Sequence, residues 1–123
     1  MPVTGWKLDA ASREFLLEIF PPRWPDLVAD HVTLHPRATP SGPLPSQRRA
    51  EVIGHADDGE GLEALVVAID GSAARPDGSI FHITWSLDRK RARKPVESNA
   101  LLARDCWQRL AAPIAIDIIP ARF

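Results

Sequence analysis

Cysteine is nearly absent. The single residue of that type among 123, Cys106, excludes an internal disulfide and fits a reducing compartment. It sits in "ARDCWQRL" with no histidine nearby in sequence, so its expected role is structural rather than nucleophilic. An excess of either charge is also missing. Basic and acidic residues number 15 and 16, so net charge alone advertises neither a nucleic acid nor a membrane surface. Long apolar runs are lacking too: the longest, "ALVVAI", is far too short to cross a bilayer. With no charged-then-apolar leader at its start, the chain is expected to be cytoplasmic, with no membrane partner.

What remains is ordinary for a globular protein. Hydrophobic residues make up 45% and charged residues 25%, enough for one real core, so residues 1–123 are expected to form a single domain. Arginine supplies 12 of the 15 basic residues. Its planar fork suits carboxylate or phosphate, although genomic base composition explains the bias equally well.

Periodicity supplies the order of elements. "VTGWKL" (3–8) reads as a strand. Asp9 is placed to cap a helix over "AASREFLLEIF", with Phe15, Leu16 and Ile19 on one stripe and the prolines 21–22 stopping it. "RWPDLVAD" is a connection into the strand "HVTLH". Residues 36–47 hold four prolines and fit neither a helix nor a central strand, leaving a lid or rim of a site, or a loose excursion. "RRAEVIGHA" and "GLEALVVAI" flank the turn "DDGEG" as a hairpin. The strand "IFHITWSL", the basic loop "DRKRARKP", a short helix in "ESNALLARDCW" capped by Ser98 or Asn99, and the closing strand "PIAIDII" complete the chain. Many strands with hairpins and only two helices point to an α+β fold rather than a doubly wound parallel sheet.

Two of these strands carry the same polar pattern. Side chains alternate between faces of a strand. In "HVTLH", His31, Thr33 and His35 therefore share one face, with Val32 and Leu34 opposite. In "FHITWSL", His82, Thr84 and Ser86 share a face, with Phe81, Ile83, Trp85 and Leu87 opposite. Each strand offers an apolar core face and a face of imidazole and hydroxyls, which must meet water, partners or a ligand.

The pair of motifs resembles the signature of the two-histidine (2H) phosphoesterase superfamily. So does the wider run of "TGWKLD…REFLLEIFPP", "HVTLHP", "EVIGHADDGEGLEALVVAIDG", "RPDGSIFHITWSL" and "KPVESNALL", which is similar to the small branch near the cyclic phosphodiesterase module of fungal tRNA ligases. The resemblance implies two pseudo-symmetric β-rich lobes, with helices outside and a central cleft holding both His-x-Thr motifs. It further implies hydrolysis of a cyclic phosphodiester, such as the 2',3'-cyclic phosphate of a nucleotide or RNA end, in RNA processing or repair. His82 would be the base that activates water, His31 the acid, and Thr33 and Thr84 the phosphate-binding hydroxyls, with no metal or cofactor. The chemistry is consistent with those residue types, because two imidazoles titrating near neutral pH can give and take protons while hydroxyls donate to the charging phosphate oxygens. Two rivals stand beside it: a 2'-5' RNA ligase-type transesterification in the same site, and a module that binds a nucleotide or RNA phosphate without turnover.

Other residues have weaker claims. His35 either touches the site or ends the strand before Pro36, and the latter is preferred. His55 is expected at the surface of a hairpin. Zinc finds no support, since there is no His-x-His pair, HExxH run or cysteine cluster. Five basic residues among seven in "DRKRARK" either steer a phosphorylated substrate or form a solvated loop. Trp85 belongs in the core by alternation, leaving Trp24 or Trp6 as a base-stacking platform.

Overall fold

The computed structural model describes residues 2–104 and 107–123; Cys106 lies outside them. The elements run β1 (Thr4–Leu8), α1 (Ala10–Ile19), β2 (Asp26–Leu27), β3 (His31–His35), β4 (Arg49–Asp57), β5 (Leu62–Ala68), β6 (His82–Leu87), α2 (Glu97–Ala103) and β7 (Gln108–Arg122). The strands form one antiparallel sheet in the order β2-β6-β5-β4-β7-β1-β3. This is the expected α+β class, β-rich with two helices. No helix among the described residues is long and apolar enough to cross a membrane.

The sheet curls because its two edges are consecutive in the chain. Val28 and Ala29, just past β2, donate their amides to the carbonyls of Trp85 and Thr84 on β6 at 2.9 and 3.0 Å. One residue later, Asp30 accepts from the Leu8 amide of β1 at 3.0 Å, and β3 then pairs with β1. Ala29, buried with φ at 41°, makes that turn in the left-handed region, a conformation a non-glycine residue adopts at a cost. Residues 28–30 thus bridge one sheet edge to the other.

Both sheet faces are covered. On one, Leu16 of α1 packs with Trp6, Val32, Leu65, Val67, Ile83, Trp85 and Ile118. On the other, Leu101 and Leu102 of α2 pack with Leu62, Val66 and Leu87. β5 lies inside the sheet and is buried at every position, which explains a sequence that is apolar except at Glu63.

Asp9 caps α1 as expected, accepting from the amides of Ala11 and Ser12 at 3.1 and 3.2 Å, an arrangement worth about 1 kcal/mol. The buried stripe differs from the expected one. Leu16 is buried, with Leu17 and Phe20 packed beside it, whereas Phe15 and Ile19 are 51% and 42% exposed. Five apolar residues within "FLLEIF" fit more than one stripe, and a tertiary contact selects among them. The Phe20 carbonyl accepts from the Trp85 indole at 2.8 Å, which fixes the helix's rotation.

Neither Ser98 nor Asn99 caps α2. The helix begins earlier, at Glu97 with Val96 in the cap position; the Glu97 carboxylate accepts from the Lys94 amide at 2.8 Å, and Ser98 is buried inside the first turn. The closing strand is longer than "PIAIDII", because β7 is central and pairs with both β4 and β1. Residues 36–47 carry no helix or strand. They are tied back by the Ala38 amide to the Pro2 carbonyl at 2.9 Å and by the Trp6 indole to the Gln47 carbonyl at 3.0 Å.

Candidate functional site

The two His-x-Thr strands share an irregularity as well as a sequence. Against β1, the partners of Thr33 and His35 are Gly5 and Thr4, so Leu34 is an extra residue in β3. Against β5, the partners of Thr84 and Ser86 are Ala64 and Glu63, so Trp85 is an extra residue in β6. Each bulge falls immediately after the threonine, and each bulged side chain enters the same apolar cluster. Gly5 is required opposite the first bulge, since a Cβ there would lie 2.1 Å from the Val32 carbonyl oxygen.

The bulges decide which residues the polar faces keep. His31, Thr33, His82 and Thr84 all line one cavity of about 310 Å³, and Ile83 and Trp85 are buried behind it. His35 and Ser86, expected on those same faces, are displaced. His35 is exposed and lies outside the cavity. Ser86 is buried and donates to Glu63 at 2.6 Å. Leu87 joins the α2 cluster instead of packing with Ile83 and Trp85. A strict two-residue alternation cannot anticipate either displacement.

The two imidazoles sit in different surroundings. His82 Nδ1 lies 2.8 Å from the Ile80 carbonyl oxygen, which only accepts, so the ring proton is on Nδ1 and Nε2 is left as the basic atom. Burial pushes the His82 pKa below its usual value; the charges of Arg75 and His31 add to this, while the Ile80 bond opposes it. His82 is therefore neutral at neutral pH. His31 has an acidic neighbour, with Nδ1 3.1 Å from the Asp30 carboxylate, which also pairs with Lys7. Burial alone would raise the Asp30 pKa, but the hydrogen bonds from Lys7 and His31 outweigh it and hold the carboxyl below its ordinary range. The Phe123 ring packs against His31 at 4.6 Å.

The threonines differ in the same way. Thr84, 6% exposed, has its hydroxyl 2.9 Å from the buried Ser98 hydroxyl and 3.3 Å from the Pro95 carbonyl. Thr33 is half-buried on the edge strand.

Arg75 is a member of the site that the motifs did not reveal. It is 7% exposed and lines the cavity. Asp77 grips one edge of its guanidinium, at 3.0 Å to Nε and 2.8 Å to Nη2, and Asn99 accepts from Nη2 at 3.5 Å. That bidentate pairing, with the Ser79 hydroxyl, holds the Asp77 carboxyl far below its usual range. "RPDG" announces a turn, and the Gly78 amide closes it on the Arg75 carbonyl at 2.9 Å. Nothing in that local signal says that the arginine side chain turns inward to the histidines.

The remaining candidates fall elsewhere. His55 is not a free surface residue: Nε2 lies 2.7 Å from the buried carboxylate of Glu63, and Phe20 stacks on its ring. Trp6 is in the core and edge-on to Phe81, so it is no stacking platform. Trp24 bonds Asp57 at 3.1 Å, carries Arg91 over its ring and does not line the cavity. The basic segment 88–94 is partly neutralised, with Arg91 on Asp88 and Arg93 on Asp58 and Glu97; only the following Pro95 and Val96 reach the cavity. Among the described residues no group of three or more His, Cys, Asp or Glu is placed to hold a metal ion. No family model, curated protein or solved structure matches the chain.

Proposed function

We propose that the chain is a phosphoesterase that opens a cyclic phosphodiester by two-histidine acid/base catalysis, on the 2',3'-cyclic phosphate of a nucleotide or RNA end. The observation that carries this reading is the meeting of His31, Thr33, His82 and Thr84 in one cavity, with Arg75 beside them. The matching bulges support a further point, that the β1–β3 and β5–β6 pairs are the corresponding parts of two pseudo-symmetric lobes.

In this mechanism neutral His82 takes a proton from water through Nε2 as the water oxygen attacks phosphorus. The bond from phosphorus to one ribose oxygen breaks, and protonated His31 donates to that leaving oxygen. Water is consumed, the ring opens to a phosphomonoester, and the histidines exchange protonation states before the next cycle. Arg75 and the threonine hydroxyls stabilise charge building on the non-bridging oxygens. The Asp30 carboxylate, 3.1 Å from Nδ1, holds the His31 ring in place and leaves Nε2 to serve the acid role. The chemistry requires no metal.

The test is product formation from a panel of 2',3'-cyclic nucleotides and a short RNA with a cyclic phosphate end, with and without a strong chelator. Ring opening that survives chelation is expected. Binding without product on every substrate would instead make the cavity a phosphate-binding module.

A further inference from the structure

We propose that Phe123, outside both His-x-Thr motifs, is a positioning residue for His31, its ring holding the imidazole at the angle from which it gives its proton. This inference rests on the phosphoesterase reading of the cavity.

The two histidines are held differently. His82 is fixed from within the fold, with Nδ1 2.8 Å from the Ile80 carbonyl oxygen. His31 opens the edge strand β3, and its ring bonds at Nδ1 to Asp30, an exposed carboxylate that Lys7 shares. Between exposed groups such a bond is weak on its own. It also anchors one atom of the ring, while the terminal torsion of a histidine side chain is broad and roughly two-fold. A second contact, away from Nδ1, is needed to limit the lean of the imidazole and so keep Nε2 in one place.

Phe123 makes that contact. Its backbone is tied to Val3 in both directions, the amide donating to the Val3 carbonyl at 2.8 Å and the carbonyl accepting from the Val3 amide at 2.7 Å. Its ring centroid lies 4.6 Å from that of His31, with the planes 56° apart. The Lys7 ammonium stands over the same Phe123 ring, 4.6 Å from its centroid. Lys7 is also the cross-strand partner of His31 in the β1–β3 pairing, so both side chains rise from one face of the sheet. The four side chains close a circuit: Lys7 bonds Asp30, Asp30 bonds His31, His31 packs on Phe123, and Phe123 carries Lys7. Of the four, only the two rings line the cavity, so the charged pair braces them from outside it.

The geometry decides which kinetic constant responds. An acid that wanders weakens the transition state and leaves substrate binding alone, so kcat should fall while KM holds. On a 2',3'-cyclic mononucleotide, Phe123→Ala is expected to lower kcat about tenfold with KM within about twofold of wild type. Phe123→Tyr, which keeps the ring, should recover most of kcat, and Phe123→Leu, which keeps bulk without a flat ring, should fall between. Carbon-13 relaxation gives a readout independent of turnover. Order parameters of the His31 ring should drop in Phe123→Ala and return in Phe123→Tyr, while those of the His82 ring stay constant. A wild-type kcat in Phe123→Ala, or a loss that Phe123→Tyr does not recover, would overturn the assignment. So would a loss confined to KM, which would make Phe123 a wall for the substrate instead. If Phe123→Ala does not fold, Phe123→Leu carries the same comparison against Phe123→Tyr. If the wild type opens no cyclic phosphate, the phosphoesterase reading fails, and the order parameters alone judge the brace: a His31 ring as ordered in Phe123→Ala as in wild type overturns it.

Discussion

The Ala29 amide donates to the Thr84 carbonyl at 3.0 Å, and past that bond β3 and β6 part company. His31 lies two residues beyond Ala29, and His82 two residues before Thr84, so both imidazoles stand at the same remove from the vertex of the cleft. The cavity is therefore a place where the curled sheet fails to close. The four motif residues stand on strands rather than on loops, which suits groups that are proposed to act together on one phosphate.

The depressed pKa of His82 fixes the sign of a pH effect. A base must be neutral to act, so the acidic limb of kcat/KM should lie below the ordinary histidine value of 6.5. His82→Ala should remove that limb from whatever activity remains. The same shift acts on stability. As pH falls through 6.5 the unfolded chain takes up a proton that the folded chain still refuses, so stability drops towards acid. His82→Asn should lose less thermal stability than the wild type between pH 7 and 5. An acidic limb above 6.5, unchanged in His82→Ala, would assign the base elsewhere.

Arg75 should matter for turnover despite lying outside both motifs. Arg75→Gln removes a buried cation from the cavity and, on the proposed chemistry, is expected to lower kcat/KM on the order of 10²-fold. Asp77→Asn should cost less, since an amide can still accept from Nε while the guanidinium keeps its charge. Steady-state kinetics on a cyclic mononucleotide, with circular dichroism to verify folding, decides the matter. A well-folded Arg75→Gln variant with wild-type kcat/KM would reduce Arg75 to a structural ion pair.

Six of the seven strands and their order of appearance were legible because periodicity is local; β2, two residues inside the expected connection "RWPDLVAD", is too short to show a period and forms only by pairing with β6. The motif residues were legible for the same reason, as His-x-Thr on a strand places both side chains on one face. Arg75 was not, because its approach depends on how the 75–78 turn sits against α2, where Asn99 accepts from it. His55 misled for a related reason: its partner Glu63 is an acidic residue in the apolar strand β5, and its Ser86 contact exists only because of the bulge at Trp85. The stripe on α1 was ambiguous until Trp85 bonded the Phe20 carbonyl.

The Glu63 network should support the fold and leave the chemistry alone. The carboxylate, 1% exposed, accepts from Ser86 at 2.6 Å and from the Arg23 amide at 3.1 Å, and pairs with His55. Burial alone would raise its pKa, but those donors outweigh burial and lower it. Its contribution is therefore complete above the ordinary value of 4.5 and lost as pH falls through the folded value. Glu63→Ala should cost about 2–4 kcal/mol in urea unfolding at pH 7, because it leaves buried donors unpaired. The gap from wild type should narrow at low pH. Since none of these residues lines the cavity, activity per folded molecule should hold.

The last prediction separates chemistry from binding at the four motif residues. His31→Ala and His82→Ala each remove one proton route and should each lower the rate roughly 10²–10⁴-fold. The double variant should lose little more than the worse single one, because acid and base act in the same transition state. The threonines should not behave alike. Thr84 shares its hydroxyl with Ser98 and the Pro95 carbonyl, so Thr84→Ala leaves a buried Ser98 hydroxyl short of a partner and should cost about 1–2 kcal/mol of stability. Thr33, on the edge strand, should show the reverse: a near-neutral melting temperature and the larger fall in kcat/KM. Both threonine variants should retain more activity than either histidine variant, since both proton routes remain. Parallel melting and turnover measurements on all four variants supply the comparison. If the histidine variants turn over like the wild type, proton transfer does not pass through this pair. If Thr84→Ala instead shows the larger kinetic loss with no change in melting, its hydroxyl points to substrate rather than to α2.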